Sequence, residues 1–177
     1  MTMDVRVSAS EDDAEERASG SVNLISNDLE LVLDNILQTV GMGFNGVTIP
    51  KGSTIGNAYV QIQVDEVSTN AASLMIRGQG IDDAPTFTSS GGEISSRERT
   101  TVSVGWTPPP WPTVGESGLD QQTPDISSVI QETVNRPGWT SSNSLVIIIT
   151  GTGTRTAEAY DGNQAGAPIL HVEYTLN

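Results

Sequence analysis

Five carboxylates stand in six consecutive positions at Glu11-Asp12-Asp13-Ala14-Glu15-Glu16, and Asp28, Glu30 and Asp34 follow shortly after. Hard cations take ligands of this type. Calcium accepts roughly six to eight oxygens at flexible geometry, and a carboxylate-rich segment with nearby backbone carbonyls can supply them. The run follows the first apolar segment and precedes Gly20 and the next one, which places it on a loop. Asp12, Asp13, Glu15, Glu16, Asp28 and Glu30 are therefore the expected calcium ligands. No EF-hand spacing is present, and the competing reading is a solvated, mobile charged loop.

A second chemistry is aromatic. Trp106 and Trp111 flank Thr107-Pro108-Pro109-Pro110, a stiff run able to hold rings on a loop. Exposed indoles offer a large flat contact to the apolar faces of sugars. Trp111 is the ring expected to be exposed, and Trp106, ending a strand, leans toward the core. Tyr160 is the third aromatic candidate for ligand contact. Trp139, after Pro137-Gly138, is expected to anchor the exit of a helix in the core.

Catalytic chemistry finds little support. With no cysteine and a single histidine, a nucleophilic triad would have to pivot on His171, and no Gly-x-Ser-x-Gly turn presents a serine. Gly41-Met42-Gly43-Phe44-Asn45-Gly46 spells a dinucleotide fingerprint, but Val47-Thr48-Ile49-Pro50 follows where a helix is required. Thr150-Gly151-Thr152-Gly153-Thr154 has no P-loop lysine. Both read as glycine-rich turns or bulges. A glycosidase needs only two carboxylates, yet no pair stands out from the many present. The chain reads as non-enzymatic.

The charge balance narrows the partners. Twenty-two acidic residues face eight basic ones, a formal net charge of -14, with Lys51 the only lysine. Phosphate backbones and anionic membranes require clustered Lys and Arg, so nucleic acid and membrane surfaces are poor partners. The longest apolar run, Leu145 to Ile149, is far short of the ~18 residues of a membrane span. The start carries neither the basic nor the apolar region of a secretion signal. The chain is thus either intracellular or, the favoured reading, a domain of a longer exported protein, with Met1-Thr2-Met3 an added lead.

The elements that must position these residues are mostly strands. Tyr59 to Asp65 alternates apolar Val60, Ile62 and Val64 with polar Gln61, Gln63 and Asp65, the period of a half-buried antiparallel strand. Shorter stretches around Val5, Val22 and Leu29 to Leu33 alternate likewise. Ser73 to Arg77, Thr100 to Trp106 and Ile169 to Thr175 add further strands. Leu145-Val146-Ile147-Ile148-Ile149 is apolar on both faces, which predicts a central strand covered on both sides. Turn signals at Asn45-Gly46, Pro50-Lys51-Gly52, Ser90-Gly91-Gly92 and Asp161-Gly162-Asn163 separate them. One helix is expected, capped by Thr123, opened by Pro124 and Asp125, carrying Ile126, Val129, Ile130 and Val134, and stopped at Arg136-Pro137-Gly138. The whole chain, 1–177, is then one all-β domain: an antiparallel β-sandwich of jelly-roll type with one short helix.

The order of motifs is also informative. Ser26-Asn27-Asp28-Leu29-Glu30-Leu31 is followed by Val40-Gly41-Met42-Gly43-Phe44, then by Ile49-Pro50-Lys51-Gly52-Ser53-Thr54-Ile55-Gly56-Asn57-Ala58-Tyr59. Later come Trp106, the helix, Pro137-Gly138-Trp139, Asn143 to Ile149, and Ala167-Pro168-Ile169-Leu170-His171-Val172-Glu173-Tyr174. This series resembles DNRLRE-type, carbohydrate-binding-module-like jelly-roll domains of large secreted bacterial proteins, over nearly the whole chain. The acidic run Glu11 to Glu16 departs from that pattern. The resemblance implies a non-catalytic accessory module flanked by other domains of a secreted or cell-surface protein. Such modules bind extracellular polysaccharide in some cases and carry calcium in others. The alternative expectation is a structural or self-assembling domain of a cell-surface protein.

Overall fold

The computed structural model describes all residues from Met1 to Asn177. Thirteen strands and one helix run in the order β1 (Thr2–Arg6), β2 (Asp13–Arg17), β3 (Val22–Asn23), β4 (Asp28–Glu30), β5 (Leu33–Asp34), β6 (Ile36–Phe44), β7 (Thr54–Gln61), β8 (Val64–Glu66), β9 (Ser73–Gly78), β10 (Val104–Trp106), α1 (Ser127–Val134), β11 (Leu145–Thr152), β12 (Thr156–Glu158) and β13 (Ile169–Thr175). They form three antiparallel sheets. A three-stranded sheet has the order β1-β13-β7. A large sheet runs β10-β9-β11-β6-β2-β3, with β5 folded onto β6. A small sheet runs β4-β12-β8. This is the all-β sandwich with a single helix that the alternation predicts. No helix is long and apolar enough to cross a membrane.

One core of 32 buried residues receives side chains from all three sheets, so the sheets fold as one body. β11 lies at its centre. Leu145, Ile147 and Ile149 face this core, while Val146 and Ile148 face a second cluster with Ala14, Ala84, Phe87 and Ile94. The connection between β9 and β10 thus covers the outer face of the large sheet. Arg97 pins that connection: it donates to the carbonyls of Pro85 and Thr86 at 2.9 Å, pairs with Glu93 at 2.6 Å, and lies over the Phe87 ring at 4.3 Å. The double-sided burial expected of Leu145 to Ile149 is what the structure has.

Three expectations are corrected. The acidic run is not a loop. Ser10–Asp12 forms a 3-10 turn and Asp13–Arg17 is β2, paired with β6 through Asp13↔Met42 to Arg17↔Gln38. Gly41-Met42-Gly43-Phe44 is no turn either, but the end of β6. A Cβ at Gly41 would sit 2.4 Å from the Phe87 ring, so the glycine makes room for the covering segment. Thr2 and Met3 belong to β1, and Met3 is buried in the core.

The helix begins later than Thr123. Gln121, Thr123 and Ile126 first find strand-like partners along β7: Ile62 N–H donates to the Gln121 carbonyl, and Thr123 and Ile126 N–H donate to Val60 and Ala58. Asp125 then accepts the Ser127 N–H at 2.8 Å and the Ala58 N–H at 3.1 Å, starting α1 and tying it to β7. Those bonds, working against its partial burial, hold the Asp125 carboxyl below the usual range. Val129, Ile130 and Val134 of α1 are fully buried.

Candidate metal centre

The small sheet positions the site. Its middle strand β12 pairs Ala157 with Leu29 on one side and Val64 on the other, and all three are buried. Alternation then turns Glu158 and its partner Asp28 to the opposite face. On the β8 side the register shifts between Thr156 and Ala157. Such an irregularity re-aims side chains, and here β8 offers both Asp65 and Glu66. One oxygen from each of Asp28, Asp65 and Glu66 lies within 4.8 Å of the others, a group that could hold a metal ion.

No basic side chain neutralises these groups. Every ion pair in the fold lies elsewhere, on Asp34, Glu93, Asp82, Asp4 and Glu173. Burial raises the Asp65 carboxyl above its ordinary range, with Asp28 and Glu66 adding to the rise. Burial likewise raises Glu158, reinforced by Asp65 and Asp28 and opposed by a bond from Asn163. Asp28 and Asp65 are half-buried and Glu66 is exposed, and a hard divalent cation is what relieves the mutual repulsion of such a set. A polar surface groove of about 300 Å3 adjoins it, lined by Glu66, Val67, Ser68, Thr69, Asn70, Thr154 and Thr156.

Of the six expected ligands only Asp28 enters the group. Glu30 lies beside it on β4, where its Oε2 accepts from Gln38 Nε2 at 3.2 Å. Glu15 accepts the Glu30 N–H at 2.7 Å, and burial, reinforced by Glu30, pushes its carboxyl up to about 9. Glu16 accepts the N–H groups of Ile94 and Ser95 at 2.5 and 2.8 Å. Asp13 accepts the Tyr160 N–H at 2.8 Å, and burial, joined by Asp161 and Asp12, raises its carboxyl to about 7. Asp12 accepts from Asn45 Nδ2 at 2.7 Å and Ser8 Oγ at 3.1 Å, while its Oδ1 is buried without a partner. Strand geometry sends successive side chains apart, so neighbours in sequence serve different places in the fold. Asp65 and Glu66 were missed because β12, distant in sequence, is what brings them to Asp28.

The aromatic expectation is also corrected. Trp111 is 0% exposed and Trp106 4%, with ring centroids 6.2 Å apart. Neither face is free to stack on a sugar. The reason lies in Arg155, a fully buried guanidinium that donates to the carbonyls of Pro108, Pro109, Asn70 and Thr154 at 2.7–2.8 Å. It draws the proline run inward and carries Trp111 with it, where Nε1–H donates to the Asp120 carbonyl at 3.0 Å. Trp139 is buried as expected, donating to the Ile49 carbonyl at 3.0 Å. Tyr160 is half-buried against the core, behind the N–H that it gives to Asp13. His171 stacks on Tyr59 at 4.7 Å and meets Asp4 at 2.7 Å.

The sequence matches no protein-family model, and no curated protein matches it either.

Proposed function

We propose that this chain is a non-catalytic accessory module of a secreted or cell-surface protein, binding extracellular polysaccharide through a calcium ion held by Asp28, Asp65 and Glu66. The observation that carries this reading is the convergence of three un-neutralised carboxylates beside a polar groove. Calcium suits the set because it accepts irregular oxygen geometry and higher coordination numbers than three side chains fill. Sugar hydroxyls or carboxylates arriving along the groove complete its shell, and the Ser68, Thr69 and Asn70 side chains offer hydrogen bonds there. Aromatic stacking has no part in this scheme. The resemblance to DNRLRE-type modules supports both the ligand class and the setting among flanking domains.

Affinity electrophoresis through a panel of polysaccharides, with calcium and with chelator, tests the reading. Retardation is expected in calcium only, and Asp65→Asn is expected to abolish it while leaving the circular dichroism unchanged. Equal mobility in every gel overturns the polysaccharide reading.

One observation favours the alternative of a self-assembling domain. Leu33, Ile36 and Leu37 are 38%, 49% and 47% exposed on the β5–β6 hairpin, an apolar patch where Leu33 pairs directly with Leu37. Light scattering decides it: a monomer at all concentrations, with and without calcium, ends that reading.

A further inference from the structure

Asn45-Gly46 is the only Asn-Gly pair in the chain. It lies directly after β6, exposed, where Gly46 adopts φ +66° and no atom lies within 4 Å of where a Cβ would stand. The Gly46 N–H donates to no group of the fold. Nothing there obstructs approach of the Gly46 nitrogen to the Asn45 side-chain carbonyl. The Asn45 amide, in turn, is the donor that satisfies Asp12 at 2.7 Å, and Asp12 is 1% exposed with its other oxygen already unpartnered.

From this geometry we propose that Asn45-Gly46 is a site of spontaneous deamidation whose product loosens the entry into β2. The Gly46 nitrogen, losing its proton, forms a bond to the Asn45 side-chain carbonyl carbon. The carbon–nitrogen bond of the amide breaks, and ammonia departs with that proton. Water then opens the cyclic imide at either carbonyl, giving aspartate or isoaspartate. No electrons are exchanged. Aspartate puts a carboxylate oxygen where the Asn45 N–H faced Asp12, and isoaspartate carries the former side-chain carbonyl into the main chain; either way the buried Asp12 acceptor loses its donor, which is costly. The isoaspartyl product also lengthens the main chain just before Val47, whose N–H and carbonyl bond to Asn143 and Ser142. The Asn45–Asp12 bond must release before the ring closes, so Asp12 acts as a brake on the reaction.

The test follows the intact chain at pH 8 by peptide mass spectrometry, with isoaspartate-specific methylation to separate the two products. Asn45 is expected to convert before any other asparagine, and the modified fraction is expected to melt lower. Asp12→Ser is expected to speed conversion by about tenfold or more, the equivalent of a hydrogen bond to a charged group. Asn45→Asp is expected to melt below Asn45→Ser, which loses the same donor without adding charge. Conversion of another asparagine while Asn45 stays intact overturns the site. An unchanged rate in Asp12→Ser overturns the brake, and equal melting of the two Asn45 variants overturns the loosening. The wild-type kinetics need no variant to fold.

Discussion

β11 and β12 are both inner strands, separated in the chain only by Gly153-Thr154-Arg155, and they are held by opposite physics. From Leu145 to Ile149, β11 buries every side chain on both faces against apolar neighbours. β12 buries Ala157 inward and turns Glu158 outward against Asp28, among carboxylates that pair with no basic side chain. One strand stabilises the fold. The other stores electrostatic repulsion on a surface that a ligand can relieve. Between them Arg155 gathers four carbonyls of the flanking loops, so the repulsive sheet stays fixed to the apolar one.

The largest expected effect breaks the apolar side. Ile147→Ala removes a fully buried branch from the centre of the core, and a loss of about 2–5 kcal/mol is expected in urea titration, with or without calcium. A loss below about 1 kcal/mol would place the stabilising strand elsewhere.

Next comes the ion. At about a hundredfold excess over its dissociation constant, calcium is expected to stabilise the fold by about 2.7 kcal/mol, read as a rise in melting temperature. Asp65→Asn is expected to remove that rise. Identical melting in calcium and chelator would leave β12 without its proposed ligand.

The same contrast explains what the residues announced in advance. The β11 run was legible because β-branched residues on both faces admit one reading, a covered central strand. β13, Ile169 to Thr175, was legible to the residue. β2 was not, because Asp13-Ala14-Glu15-Glu16 carries almost no apolar signal. Its carboxylates are buried as acceptors for the N–H groups of Tyr160, Glu30, Ile94 and Ser95, partners that exist only once the chain has folded. Asp28 was picked out by chemistry alone, while Asp65 appeared only as the polar phase of an alternating strand. Trp111 misled for a related reason: a stiff proline run reads as an exposed loop unless the buried Arg155 that captures its carbonyls is known.

A third effect concerns Glu15, where the two physics meet beneath β4. Folding raises its carboxyl from the ordinary 4.5 to about 9, so between those values the folded chain holds a proton that the unfolded chain has released. The stability tied to that proton is fully present below about pH 4.5 and is lost as pH rises through about 9. The slope is at most about 1.4 kcal/mol per pH unit for one proton. Glu15→Gln, which copies the neutral acid, is expected to flatten stability against pH over this window. A wild-type curve that rises from pH 5 to pH 8 would contradict the buried acid.

The smallest effect is the sharpest for the comparison. Glu158→Gln removes one of two like charges directly opposed across β12 and β4. Opposed like charges cost roughly 0.2–1 kcal/mol, so in chelator near neutral pH the variant is expected to be more stable than wild type by about that amount. Acidification is expected to erase the gain. Because burial and the neighbouring Asp65 and Asp28 raise the Glu158 carboxyl, it takes up a proton early as pH falls and the repulsion ends in the wild type as well. In calcium the sign reverses: the Glu158 charge then attracts the ion, and its removal weakens calcium stabilisation. A core position such as Ile147 has no means of producing a change of sign with calcium, since its contribution depends on shape and not on charge. If Glu158→Gln shifts stability equally in calcium and in chelator, the outward face of β12 is an ordinary acidic surface and no ion is held there.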